Sequence, residues 1–189
     1  LTLANMNLDA IERVIHCWQT QIEELKQEYT WIQIFENKGA IVGCSNPHPH
    51  GQIWASGHLP NEAVKECHHQ QAYFEQHQRP LLLNYVEREY EQQQRIVCDN
   101  DDWVVVVPYW APWPFETLLL PRFHCSCLTD ITAVQRTRLA AIIQHLNQTY
   151  NALFKTEFPY TMGWHNAPQD QQPHPEWQCH AHFYPPLLR

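Results

Sequence analysis

One arrangement occurs twice in this chain, and it restricts the fold more than any composition figure does. Leu8 to Tyr29 carries apolar residues at Leu8, Ile11, Ile15, Trp18, Ile22 and Leu25, a helical spacing with Asn7 or Asp9 as the cap. A strand over Trp31–Phe35 follows, then a polar turn, Glu36–Gly39, then His48-Pro49-His50 running into a strand at Gln52–Ala55. Near the other end, Thr129 or Asp130 caps a long helix reaching about Phe154. Behind it come a strand, Phe158–Trp164, and another, Trp177–Tyr184, that holds His180-Ala181-His182. Glu28-Tyr29-x-Trp31 aligns with Glu157-Phe158-x-Tyr160 and Asn37 with Asn166, which brings the two His-x-His pairs near one another after a short insertion. The repeat predicts two α+β units in tandem that share one continuous sheet. The first unit lacks the strand that precedes the helix in the second, and the chain opens on Leu1 rather than Met, so a longer parent protein is expected.

Between the units, Pro60–Gln78 reads as a helix broken by Pro80, and Leu81–Tyr90 as a short one. Arg95–Cys98 and Trp103–Val107 read as strands. The second is a continuous β-branched run, which predicts burial on both faces. A Pro- and aromatic-rich connection, Pro108–Pro114, leads to a strand at Phe115–Leu120 that Pro121 ends.

At 189 residues and 44% hydrophobic, the chain can bury a core. Its net charge of -8 argues against nucleic-acid binding, which needs a basic face. No apolar run reaches membrane-spanning length. Seven cysteines without a Cys-x-x-Cys pair fit reduced thiols and a cytoplasmic setting.

The histidines carry the chemistry. In an extended segment His48 and His50 face one way, Pro47 and Pro49 keep the backbone extended, and Gly51 permits close approach. A neutral imidazole, with an ordinary pKa of about 6.5, is a nucleophile toward phosphorus at neutral pH. The carbonyl of His48 can orient such a ring. Backbone amides around Cys44–Asn46, the Ser45 hydroxyl and the Gln52 amide can hold phosphoryl oxygens. Metal ligation is the second chemistry: His180 and His182 lie on one face of a strand, with His165 on the neighbouring strand, and three imidazoles need a carboxylate or water to complete a shell. Core packing is the third reading. The other histidines, His124 and His174 among them, read as surface residues.

Several stretches then resemble a known family. They are Phe35-Glu36-Asn37-Lys38-Gly39, Gly43-Cys44-Ser45-Asn46-Pro47-His48-Pro49-His50-Gly51-Gln52-Ile53-Trp54 and Pro114-Phe115-Glu116-Thr117, with Met162-Gly163-Trp164-His165 and His180-Ala181-His182-Phe183-Tyr184-Pro185-Pro186. They are similar to the galactose-1-phosphate uridylyltransferases, a branch of the histidine-triad superfamily. The resemblance implies an α+β, histidine-triad-like fold of tandem half-repeats with an antiparallel sheet flanked by helices. Residues 1–60 would be the end of an N-terminal half and 61–189 most of a C-terminal half. It implies ping-pong transfer of uridylyl from UDP-glucose to galactose 1-phosphate, giving UDP-galactose, with His50 as nucleophile. Ser45 and Gln52 would hold the phosphoryl group, and Asn37, Gly43 and Cys44 would contact substrate. Glu66, His165, His180 and His182 would bind iron. His48 would supply one zinc ligand, the others lying outside this chain. A homodimer is implied.

Gln52 bears on the reaction separately. Superfamily hydrolases carry a third histidine at that position, which can protonate a leaving group, whereas an amide only hydrogen-bonds. Gln52 therefore favours transfer between sugar phosphates. A histidine-triad hydrolase or phosphorylase, or a metal-binding fragment without catalysis, are the rivals.

Overall fold

The computed structural model describes residues 2–44 and 50–186. Among the described residues seven strands form one sheet: β1 (Trp31–Lys38), β2 (Gly51–Ser56), β3 (Ile96–Asp99), β4 (Trp103–Val106), β5 (Thr117–Pro121), β6 (Tyr160–His165) and β7 (His180–Tyr184). Their order is β2-β1-β6-β7-β5-β4-β3, and every adjacent pair is antiparallel. The four α-helices among the described residues are α1 (Leu8–Leu25), α2 (Asn61–His77), α3 (Leu81–Gln92) and α4 (Ala133–Phe154). The α+β architecture with a continuous antiparallel sheet is as the repeat predicts. β1/β2 and β6/β7 are the two half-repeats, joined where β1 pairs with β6.

The helices divide between the faces. Ile11, Ile15 and Ile22 of α1 and Leu139, Ile143 and Leu146 of α4 pack with Ile32, Ile34, Met162 and Trp164. Ala63 of α2 packs with Trp31 and Trp177 on the opposite face, and Leu82 and Val86 of α3 pack there with Val104, Val106 and Leu118. Trp103 and Val105 belong to the first face and Val104 and Val106 to the second, so β4 is buried on both, as its β-branched run predicts.

Among the boundaries that differ from the sequence reading, four have a clear local reason. β1 continues through the expected turn to Lys38, because Glu36 and Lys38 pair with Met162 and Tyr160 of β6 and are buried. The Tyr160 hydroxyl donates to Glu36 at 3.3 Å, and Lys38 lies over the Tyr160 ring. Thr132, not Thr129 or Asp130, caps α4, in a reciprocal pair with Gln135. Asp130 closes a short 3₁₀ turn, Leu128–Asp130, accepting from the Cys127 amide at 2.9 Å. β5 starts at Thr117 because Phe115 has φ 61, incompatible with a strand, and it includes Pro121, which pairs with Trp103 at the strand end.

The repeat also slips by one residue. Trp31 and Tyr160, aligned in the sequence, face opposite sides of the sheet. A one-residue shift exchanges the faces of a strand, so aligned aromatic residues do not fix the register.

Candidate active-site face and metal centre

Residues directly opposite on antiparallel strands share a face. The pairs Gln52–Phe35, Phe35–Gly163 and Gly163–His182 therefore make one row across four strands on the α2/α3 side. Asn37, Thr161 and Tyr184 make the next row. At about 4.8 Å per strand, Gln52 and His182 are roughly 14 Å apart along the sheet. Of the residues that the sequence singles out, those described on strands sit on this one face.

At the β6/β7 end the row meets α2. Ala63, Glu66, Cys67 and Gln70 are spaced three and four apart, and this side of the helix is turned to the sheet. Glu66 thereby reaches His165, whose Nδ1 lies 2.8 and 3.0 Å from the two carboxylate oxygens. His165 pairs with His180 across the strands. The three rings of His165, His180 and His182 form a near-equilateral triangle, with centroid separations of 4.9, 5.0 and 5.2 Å. One ligand atom from each of Glu66, His165, His180 and His182 lies within 4.8 Å of the others.

The protonation states suit a cation. His180 donates Nδ1–H to the Gln178 carbonyl at 2.9 Å, which leaves the Nε2 lone pair toward the cluster. Burial, with His165 adding to it, holds His180 down to about 4. Burial, with His180 and His165, holds His182 well below its ordinary value. Burial raises the Glu66 carboxyl, but the hydrogen bond and charge of His165 outweigh it and keep that group below its usual range. Two neutral imidazoles and an ionised carboxylate are the donor forms that a divalent metal requires, so the residues fit. The cluster forms part of the wall of a cavity of about 750 Å³, with Trp31, Leu82 and Trp110 also on the wall.

At the other end of the face, β2 is the edge strand of the sheet among the described residues. His50 precedes it and is exposed. Asn37 is fixed by Thr161, whose hydroxyl donates to Oδ1 at 2.8 Å. Gly43 lies in the left-handed region at φ 85 with its amide on the Ala40 carbonyl, and the Cys44 amide donates to the Gly39 carbonyl at 3.3 Å. Ser45 and His48 lie outside the described residues.

The chain's two segments match two family models. Residues 1–60 match the galactose-1-phosphate uridyl transferase N-terminal domain, and residues 66–189 match the C-terminal domain. The chain belongs to the galactose-1-phosphate uridylyltransferase family. It is 52% identical over 188 residues to the Haemophilus influenzae galactose-1-phosphate uridylyltransferase, covering all of this chain and 54% of that protein. It is 50% identical over 192 residues to the Rattus norvegicus protein of that name, covering 100% of this chain and 51% of the relative. The chain thus spans about half the length of the curated relatives it matches. A solved uridylyltransferase structure superposes with a TM-score of 0.91 at 26% identity, over 97% of this chain and 58% of the other.

Some neighbours of this four-residue cluster in the uridylyltransferase-family chain escape the sequence reading. Trp177 stacks on His180 and donates its indole N–H to the His165 carbonyl at 3.3 Å, so one residue steadies two histidines of the cluster. Its own amide donates to the carbonyl of His174, and the His174 ring bridges Asp170 and Glu176 at 2.9 and 2.8 Å. His174, expected at the surface, is half-buried in this clip. Nothing in a Pro/Gln-rich stretch signals it.

Proposed function

We propose that the protein containing this chain is a galactose-1-phosphate uridylyltransferase of galactose metabolism. The supporting observation is the identity of about half the residues over the whole chain, with Gln52 and Asn37 on the face that carries the histidines. In this reading a ring nitrogen of His50 attacks the α-phosphorus of UDP-glucose. The bond to the glucose 1-phosphate oxygen breaks, and a uridylyl-imidazole remains. An oxygen of galactose 1-phosphate then attacks the same phosphorus, the P–N bond breaks, and UDP-galactose forms. Gln52 and Ser45 steady the phosphoryl oxygens, and Asn37, Gly43 and Cys44 contact substrate. The exposure of His50 leaves room for a nucleotide.

Glu66, His165, His180 and His182 hold iron in this reading, and His48 gives one ligand to zinc. A cation bound by the four-residue set supplies a cross-link between α2 and the β6/β7 strands. Residues 1–60 and 61–189 are the end of one half and most of the next, and the partner is a second copy of the chain, in the cytoplasm.

The full-length protein incubated with UDP-glucose labelled in the uridylyl group acquires an acid-labile label that His50→Ala abolishes. A label that survives His50→Ala, or none at all, refutes the mechanism. The amide of Gln52 favours transfer over hydrolysis, so free UMP forms slowly beside UDP-galactose.

A further inference from the structure

Glu116 stands just beyond the four-residue cluster. It is 1% exposed, and its Oε1 lies 3.9 Å from Nδ1 of His182. Its Oε2 is buried and has no hydrogen-bond partner among the described residues. A buried carboxylate with an idle oxygen is costly unless a charged group completes its surroundings.

The chain is strained to place it there. Phe115, immediately before, has φ 61, a left-handed conformation that bulky side chains avoid. The turn is held from two sides. The Tyr150 hydroxyl donates to the Phe115 carbonyl at 2.6 Å and lies 3.0 Å from the Thr117 hydroxyl. The Trp113 indole N–H donates to the carbonyl of Pro185, just past β7. Backbone strain fixed this firmly beside a group of ligands marks a positioned side chain.

The His182 ring shows what is positioned. Its Nδ1 is turned to the Tyr184 hydroxyl at 3.1 Å, with Glu116 behind, and this leaves Nε2 for the cluster. A separation of 3.9 Å is too long for a hydrogen bond, but a movement of about 1 Å makes one. A metal-bound histidine commonly gives its second ring N–H to a carboxylate, which fixes the ring and raises its basicity.

We propose that Glu116 is the positioning carboxylate of this centre and accepts the Nδ1–H of His182 when Nε2 holds a divalent cation. The proposal rests on reading Glu66, His165, His180 and His182 as a metal site. Its test strips the purified protein with a chelator and titrates it with cobalt(II) against a competing chelator, for wild type, Glu116→Gln and Tyr184→Phe. The metal-free melting temperatures are measured beside the affinities. Glu116→Gln weakens cobalt binding roughly 10- to 100-fold, while its metal-free melting temperature stays equal or rises, since an unpartnered buried charge is gone. Tyr184→Phe keeps the wild-type affinity. Wild-type affinity in Glu116→Gln overturns the proposal, and so does a lowered metal-free melting temperature, which makes Glu116 a packing residue. If Tyr184→Phe alone loses affinity, the hydroxyl is the partner and the proposal falls. A wild type that takes up no cobalt ends the metal reading itself.

Discussion

Gly39 and Gly43 bracket the turn that carries the chain from β1 toward His50, and alanine at each separates two costs. Gly39 has φ 99 and ψ 146, and an added Cβ would sit 2.7 Å from the Cβ of Pro159. Gly43 has φ 85 and ψ 9, and an added Cβ there meets nothing within 4 Å. Gly43→Ala therefore carries only left-handed strain, about 1 kcal/mol. Gly39→Ala carries strain of about 1–3 kcal/mol in a region nearly closed to other residues. The overlap with Pro159 adds about 1–3 kcal/mol, because β1 or the start of β6 must shift. The expected losses are about 1 kcal/mol for Gly43→Ala and about 4 kcal/mol for Gly39→Ala. In a domain of this size they correspond to about 3 °C and about 12 °C in melting temperature. Urea unfolding followed by tryptophan fluorescence measures both, and unchanged m-values show that the native fold is kept. The Gly39 carbonyl accepts from the Val42 and Cys44 amides, so the larger perturbation also moves the turn before His50. Labelling by UDP-glucose should drop in Gly39→Ala and persist in Gly43→Ala. Two variants of equal stability would refute the reasoning, because the contact with Pro159 would then carry no cost.

Acid should destabilise the metal-free protein through His180. A histidine kept neutral by burial takes up its proton more readily when unfolded, so stability is unaffected above pH 6.5 and falls between pH 6.5 and 4. By pH 5 the loss is about 2 kcal/mol. Melting curves of wild type and His180→Gln between pH 7 and pH 5 check this, and equal losses in the two refute it. Tyr150→Phe removes the hydroxyl that holds the Phe115 turn. It should cost about 1–2 kcal/mol, measured by chemical denaturation, and a neutral effect would show that the turn needs no such support. Divalent metal at 100 times its Kd should stabilise the stripped protein by about 2.7 kcal/mol, an increment that His180→Ala abolishes in the same melting assay.

Much of the fold was legible because apolar periodicity set it. The stripe of α1 and the β-branched run of β4 each state their environment directly. The misreadings fall where polar residues are buried. Glu36 and Lys38 look like a turn, yet they extend β1, because Tyr160 supplies a hydroxyl and a ring face to them. Glu66 looks like a solvated helix residue when read alone, and only the family resemblance flags it. A signal was present in α2 all the same. Its sheet-facing positions set Glu66 and Gln70 beside Ala63 and Cys67, and polar side chains on a helix side that packs need partners. Glu116 and Trp177 were out of reach, because their roles depend on a strained turn and on a clip around His174 that no local pattern encodes.

The two His-x-His segments differ most in where the sheet puts them. β7 lies between β6 and β5, and α2 covers it, so His180 is 4% exposed. Burial there keeps the imidazole neutral, which favours a cation held by preformed ligands. Among the described residues β2 lies at the edge, and His50 before it is exposed. An edge position gives up that desolvation, and in the proposed function it is where the His50 ring meets phosphorus. Under the proposed reading the two His-x-His segments serve two chemistries, set apart by the strands and helices packed around each and by the Gly51-Gln52 that follows the first and not the second. Substitutions that open α2 should therefore damage the cluster at β7 before they disturb the edge at β2. Ala63→Asp, which buries a charge between Trp31 and Trp177, tests this. It should abolish metal uptake while UDP-glucose labelling of His50 declines less, and a variant that loses its label but keeps its metal would contradict the division.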